Sequence, residues 1–140
     1  MSDAGDYKTF EEFWPYYVKE HSKPSTRLLH FIGTTGAMAC VAGAVFTKRR
    51  WLLAVAPVVG YGPSWIGHFF IEKNRPATFK YPVWSLRADF RMWGKMVRGQ
   101  MSAEVERVLR EEREAAERDE TEKKASEAEA TASVQSAQVN

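Results

Sequence analysis

Three histidines carry most of the chemistry that this chain of 140 residues could do near neutral pH. His21 and His30 are separated by eight residues, and His68 stands four residues before Glu72. Neutral imidazole is the commonest metal ligand, and a ring of histidines with one carboxylate and open positions suits Fe(II) oxygen chemistry. At i and i+4, His68 and Glu72 share a face of any helix that runs that far. The pattern H-x8-H…H-x3-E matches no standard zinc spacing. On spacing alone, the plainer reading is of three separate histidines hydrogen-bonding to lipid or backbone. Against it stands the cost of polar groups at membrane depth, where they are usually functional.

Two uncharged runs must position these residues. Leu28–Thr47 is 20 residues without Asp, Glu, Lys or Arg, and Trp51–Ile71 is 21 more. As helices each would be about 30 Å long, the thickness of a bilayer's hydrocarbon core. Only Lys48, Arg49 and Arg50 separate them, so the runs are expected to form a tight antiparallel two-span hairpin. A buried hairpin in a soluble protein is the alternative, but the 102 residues up to Ser102 could hardly wrap two such helices. In the hairpin His30 lies at the entrance and His68 at the exit, at similar depth, on the side of His21 and Glu72. Gly36, Cys40 and Ala44, and likewise Ala39 and Gly43, recur every four residues as faces for close helix contact. Pro57 and Gly60–Pro63 predict a kink or a local opening, tolerated at membrane depth only where protein or a water-filled cavity covers it.

Basic residues flank the spans on both sides. Lys19, Lys23 and Arg27 precede the first span, and Lys73, Arg75, Lys80, Arg87 and Arg91 follow the second, against three in the loop. The positive-inside tendency then predicts both termini in the cytoplasm. Before the hairpin, Phe10, Phe13, Trp14 and Tyr17 form an aromatic stripe behind a Thr9–Glu12 capping box, with Pro15 marking a kink or a later start; an interfacial helix is expected. After it, Pro76 and Pro82 act as breakers, and Ser85 is expected to N-cap a helix with an apolar stripe (Leu86, Phe90, Trp93, Val97) beside a basic one (Arg87, Arg91, Lys95, Arg98). Up to Ser102 the chain holds 14 Lys and Arg against 7 Asp and Glu; beyond it, 6 against 11. The basic body suits anionic headgroups or an anionic substrate, and two spans disfavour nucleic acid. The body is therefore taken as residues 1–102. The tail, 103–140, is expected to be helical at first and disordered from Thr121. Cys40 is the only cysteine, which excludes an intrachain disulfide, and Asp3 and Asp6 stand where a signal peptide would be basic.

The stretches Phe13–Thr34, FWPYYVKEHSKPSTRLLHFIGT, and Gly60–Met92, GYGPSWIGHFFIEKNRPATFKYPVWSLRADFRM, resemble the 2-hydroxy fatty acid dioxygenase-like family, over roughly Thr9–Met101. The resemblance implies an all-α integral membrane protein, of the endoplasmic reticulum in a eukaryote and the inner membrane in a bacterium. It also implies Fe(II)-dependent removal of one carbon from 2-hydroxy fatty acids, a step of α-oxidation and sphingoid-base breakdown. Carried onto this chain, the family's essential histidines are His21, His30 and His68. Glu72 would then be a fourth ligand or an orienter of a histidine. Arg27, Lys73, Asn74 and Arg75 would meet the substrate carboxylate, O2 would be co-substrate, and the acyl chain would lie against the hairpin. A homo-oligomer is compatible with this arrangement. A non-catalytic hairpin that scaffolds membranes through its basic helix is the alternative from another class; it predicts that replacing all three histidines changes nothing.

Overall fold

A computed structural model describes residues 6–137, with side chains through residue 130. Among the described residues all regular structure is helical, and the chain divides into two compact units, Met1–Val105 and Glu106–Asn140.

Helix α1, Phe10–Glu20, begins where the capping box predicts: Thr9 Oγ1 accepts from the Glu12 amide at 3.2 Å, while the Glu12 carboxylate accepts from the Lys8 amide at 3.0 Å. Pro15 lies inside the helix without ending it. The aromatic stripe does not face an interface. Phe13, Trp14 and Tyr17 are buried, and Phe13 meets the rings of Tyr81 and Trp84 at 5.4 and 5.7 Å. An aromatic face on α1 thus becomes protein core, because the segment after the hairpin supplies aromatic partners for it.

Helix α2, Pro24–Thr47, starts a turn before the uncharged run, with proline at a first-turn position. Lys48, in the left-handed region at φ 57°, turns the chain into α3, Trp51–Ile66. The hairpin is antiparallel and tightly seamed. A Cβ on Gly33 would lie 2.5 Å from Gly60 O, and one on Gly36 2.6 Å from Val59 Cγ1. Gly36 and Gly43 belong to the expected small-residue faces; Gly33, the tightest contact, does not. Pro57 and Pro63 both stay within α3, and the helix opens beyond them, as a π-helical turn over Gly67–Glu72. Among the described residues one helix, α2, is long and apolar enough to cross a membrane, and only 17% of its most apolar window is buried. A core helix of a soluble protein would be mostly covered; Leu28, Ile32, Val45 and Phe46 are instead exposed.

Helix α4, Pro82–Val97, begins four residues earlier than expected, with Tyr81 rather than Ser85 at the N-cap: Pro82 occupies a first-turn position rather than breaking the chain, and the Ser85 amide is already bonded to Tyr81 O at 2.8 Å. Its basic stripe is partly turned inward. The Arg87 and Arg91 guanidinium groups lie 4.0 and 5.5 Å from the Phe10 ring centre, and Arg91 bonds Glu11 at 2.9 Å. Helix α5, Met101–Ala137, remains helical past Thr121, where composition predicts disorder. Ala, Glu, Lys and Arg favour helix wherever nothing competes, and Arg107–Glu111 and Glu120–Lys124 add i,i+4 pairs.

Candidate metal centre

Each histidine arrives on a different element. His21 caps the C-terminus of α1, His30 sits in the second turn of α2, and His68 lies in the π-helical turn that ends the hairpin. That turn approaches α2 closely because residue 67 is glycine: a Cβ there would be 3.0 Å from Thr26 Cγ2. The wide turn leaves His68 O accepting from the Asn74 amide at 3.1 Å, which folds Asn74 back beside the His68 ring. π-Helical turns recur at functional sites for this reason, since they re-aim side chains within a continuous helix.

The three rings converge. Their centroids are 4.4 Å (His21–His30), 4.6 Å (His21–His68) and 5.1 Å (His30–His68) apart, and the ring planes are close to mutually perpendicular, at 84–88°. All three residues are buried, with relative exposures of 0, 4 and 2% for His21, His30 and His68. Nε2 of His30 lies 3.1 Å from Nε2 of His21 and 3.2 Å from Nε2 of His68.

The other ring nitrogens decide what these short distances mean. His21 Nδ1 meets Tyr17 O at 2.6 Å, His30 Nδ1 meets Asp89 Oδ1 at 2.9 Å, and His68 Nδ1 meets Asn74 Oδ1 at 2.8 Å. A backbone carbonyl can only accept, and so can an ionised carboxylate. The Asn74 amide is oriented by its own bonds, with Nδ2 donating to Glu20 O at 3.1 Å and to Glu20 Oε2 at 2.6 Å, so Oδ1 is the atom facing His68. A neutral imidazole with an acceptor on Nδ1 keeps its proton there and turns a bare Nε2 lone pair toward its neighbours. Three lone pairs at such distances repel one another unless a cation lies between them. Burial first, then the adjacent His30 and His68, push the His21 imidazole well below its ordinary value, which leaves it neutral and able to bind. Burial and the neighbouring Asp89 push the Tyr17 phenol well above its ordinary value, so it remains the donor in its bond to Asp89.

The donor set fits a metal ion. Two imidazole nitrogens on one ion, at metal–nitrogen bonds of about 2.0–2.1 Å and tetrahedral to right-angle geometry, stand about 2.8–3.4 Å apart, and the His21–His30 and His30–His68 Nε2 separations fall within that range. One ring nitrogen from each of the three histidines lies within 4.8 Å of the other two. The Nδ1 partners, one carbonyl, one carboxylate and one amide oxygen, are of the kinds that orient metal-bound histidines.

A protein-family model described as 2-hydroxy-palmitic acid dioxygenase Mpo1-like matches residues 7–101. This chain belongs to that family. The match contains the whole imidazole cluster with Tyr17, Asn74 and Asp89, and stops where α5 begins. No curated protein and no solved structure matches the chain.

In this Mpo1-like chain the remaining residues singled out from sequence take different positions. Glu72 is not drawn into the imidazole cluster; its carboxylate accepts from the Lys23 amide at 2.9 Å and lies 3.7 Å from Lys23 Nζ. It ties the π-helical turn to the loop that follows His21. Asn74 is the residue that orients His68. Arg27 is buried and its Nη1 donates to His21 O at 3.0 Å and to Ser22 O. Lys73 and Arg75 are exposed, with the Arg75 guanidinium 5.1 Å from the Phe79 ring centre. Asp89, the partner of His30, was not among the residues that spacing pointed to. A signal for it exists: it is the lone acidic residue between Lys73 and Ala103, a stretch otherwise strongly basic.

Proposed function

We propose that this chain is an Fe(II)-dependent dioxygenase that shortens 2-hydroxy fatty acids by one carbon. The observation that carries the reading is the convergence of three buried imidazoles, each with an acceptor on its own Nδ1, in a chain whose family model is described as a 2-hydroxy-palmitic acid dioxygenase. His21, His30 and His68 would hold the iron. When bound, the ion supplies open coordination positions for O2 and the hydroxy acid, together with its redox couple. The overall reaction balances without an added reductant: one 2-hydroxy acid and one O2 give the acid one carbon shorter, one CO2 and one water.

The chain's own residues prepare the site. Tyr17 O, Asp89 and Asn74 fix the tautomers and the ring orientations. The Tyr17 hydroxyl donates to Asp89 and so supports the carboxylate that holds His30. Burial of all three rings excludes water from the reacting centre. Arg27, anchored to His21 O, and the exposed Lys73 and Arg75 are the cations that would draw the substrate carboxylate to this side. Glu72 acts on the centre by holding the loop between α1 and α2.

The exposed apolar flanks of α2 and α3 support an integral membrane location, with α2 and the continuous α3 and π-helical turn as two spans and the histidines at the boundary on the side of both termini. That side is the cytoplasm by the charge distribution; the membrane is the endoplasmic reticulum in a eukaryote or the inner membrane in a bacterium.

The test is anaerobic loading of purified protein with Fe(II), then addition of O2 and 2-hydroxypalmitate with mass-spectrometric detection of pentadecanoic acid. Near-stoichiometric iron and product formation are expected, and both are lost in His68→Ala. The proposal fails if the parent binds no iron, or if His68→Ala turns over as fast as the parent.

A further inference from the structure

A groove of about 620 Å³ runs between α2, α3 and α4, and its lining changes character along its length. The polar side chains that line it are Thr34, Tyr61 and Asp89. All three cluster at the histidine end: Thr34 is one turn beyond His30 on α2, Tyr61 is the residue on α3 that follows Gly60, opposite Gly33, and Asp89 is bonded to His30. Away from that end the walls are apolar, formed by Met38, Val41 and Ala42 on one side and Leu53, Ala56 and Pro57 on the other. From Thr34 to Ala42, and from Tyr61 back to Leu53, the groove follows eight residues of helix, about 12 Å.

We infer that this groove binds the acyl chain of the 2-hydroxy acid, with the polar head at the Thr34–Tyr61 end and the methyl end pointing along the hairpin toward Leu53. The inference rests on the reading of the preceding subsection and adds to it the place and the length limit of the chain. Polarity supports this occupant: a groove polar at one end and apolar along the rest matches an amphiphile with one head and one tail. Continuity supports it too, because Asp89 both lines the groove and holds His30. Direction adds a third argument. If the histidines lie at the membrane boundary, the groove descends from them into the hydrocarbon region, along the path a membrane-dissolved acid already occupies. Ala42, an exposed small residue, lines the distal end, where a larger side chain would narrow the groove. Leu86 and Phe90 of α4 cover the near half and are themselves half exposed.

The experiment uses the full chain in phosphatidylcholine nanodiscs and 2-hydroxypalmitate carrying a mid-chain diazirine. After irradiation the label is mapped by mass spectrometry. The expected result is label on Met38, Val41, Leu53 or Phe90, competed away by 2-hydroxypalmitate and not by added phospholipid. Ala42→Phe is expected to shift competition toward shorter 2-hydroxy acids, by about fourfold in relative affinity for each methylene that can no longer be buried. Val58→Phe, on an exposed face outside the groove, is expected to leave the profile unchanged. Three outcomes overturn the inference: label spread without competition over exposed residues such as Val45, Phe46 and Phe70, which is lipid contact only; an Ala42→Phe profile equal to the parent's; or Ala42→Phe altering only the oligomeric state, which makes the groove a contact between copies. The label map does not depend on turnover. A competed label without product retains the groove and sinks the dioxygenase reading, whereas product with a scattered label does the reverse.

Discussion

The two ends of the α2–α3 hairpin both carry aromatic and polar residues, in opposite surroundings. At one end, α1 and α4 close over the polar side chains: His21, His30 and His68 are buried with each Nδ1 bonded, and Tyr17, Asp89, Asn74 and Glu20 form the shell around them. At the other end the turn is left open among the described residues. Phe46 and Trp51 are 86 and 59% exposed beside Lys48, Arg49 and Arg50. Only the first end has neighbours that remove water and fix hydrogen bonds. In a dry setting a hydrogen-bond network becomes specific and costly to break, which is what a histidine cluster aimed at one point needs. The open end has the aromatic and basic composition of a headgroup contact.

Substitutions at the closed end should therefore break the centre, and equivalent changes at the open end should not. The largest effect is expected from His30→Ala, which removes the imidazole shared by both short Nε2 contacts. Iron content measured by inductively coupled plasma analysis should fall to background and activity with it, while circular dichroism keeps its helical signal. Phe46→Ala at the open end should leave iron stoichiometry at the parent's value, and a loss there would dissolve the contrast. Asp89→Asn comes next. It keeps the shape but replaces the carboxylate held by His30 and Tyr17, and should weaken Fe(II) binding about 10–100-fold. An unchanged Fe(II) titration would make Asp89 a packing residue only.

A smaller effect is expected from Gly33→Ala on the seam itself. Its Cβ would stand 2.5 Å from Gly60 O, so the helices must separate, at a cost of about 1–3 kcal/mol in unfolding. Gly62→Ala, with open space around its Cβ position, should show none of that overlap cost. The smallest concerns α1, which delivers His21. Thr9→Ala should cost about 1 kcal/mol through the lost cap. The Glu12 carboxyl, held below its ordinary value of 4.5 by the Lys8 amide, adds stability that is present above that value and lost as the pH falls below it. Hydrogen exchange of the α1 amides at pH 3 and 6, each referred to the intrinsic rate at its own pH, would show it as lower protection at the lower pH in the parent and a reduced difference in Glu12→Gln.

Much of the arrangement was legible in residue order. The two uncharged runs with three residues between them require an antiparallel pair, and an antiparallel pair places entrance and exit residues level with each other. That brought His30 and His68 together on paper and put His21 near them. Glu72 shows where such reasoning stops. The i,i+4 rule places it on the His68 face only for a regular α-helix, and the π-helical turn rotates it toward Lys23 and gives the His68 contact to Asn74. The stripe of α1 shows a second limit. Periodicity identifies an aromatic face, but whether lipid or protein covers it depends on Tyr81 and Trp84, residues some 70 positions away. Asp89 falls under the same limit, since its partners lie 59 and 72 residues back in the chain.

By itself, then, the sequence determined the hairpin, the capped start of α1, the level at which the histidines meet and the family resemblance, because these follow from local periodicity, chain connectivity and contiguous motifs. The tertiary structure alone decided which atoms of the histidines face one another. That choice depends on the acceptors packed behind each ring, Tyr17 O, Asp89 and Asn74, and a hydrogen bond between residues distant in sequence has no period to betray it.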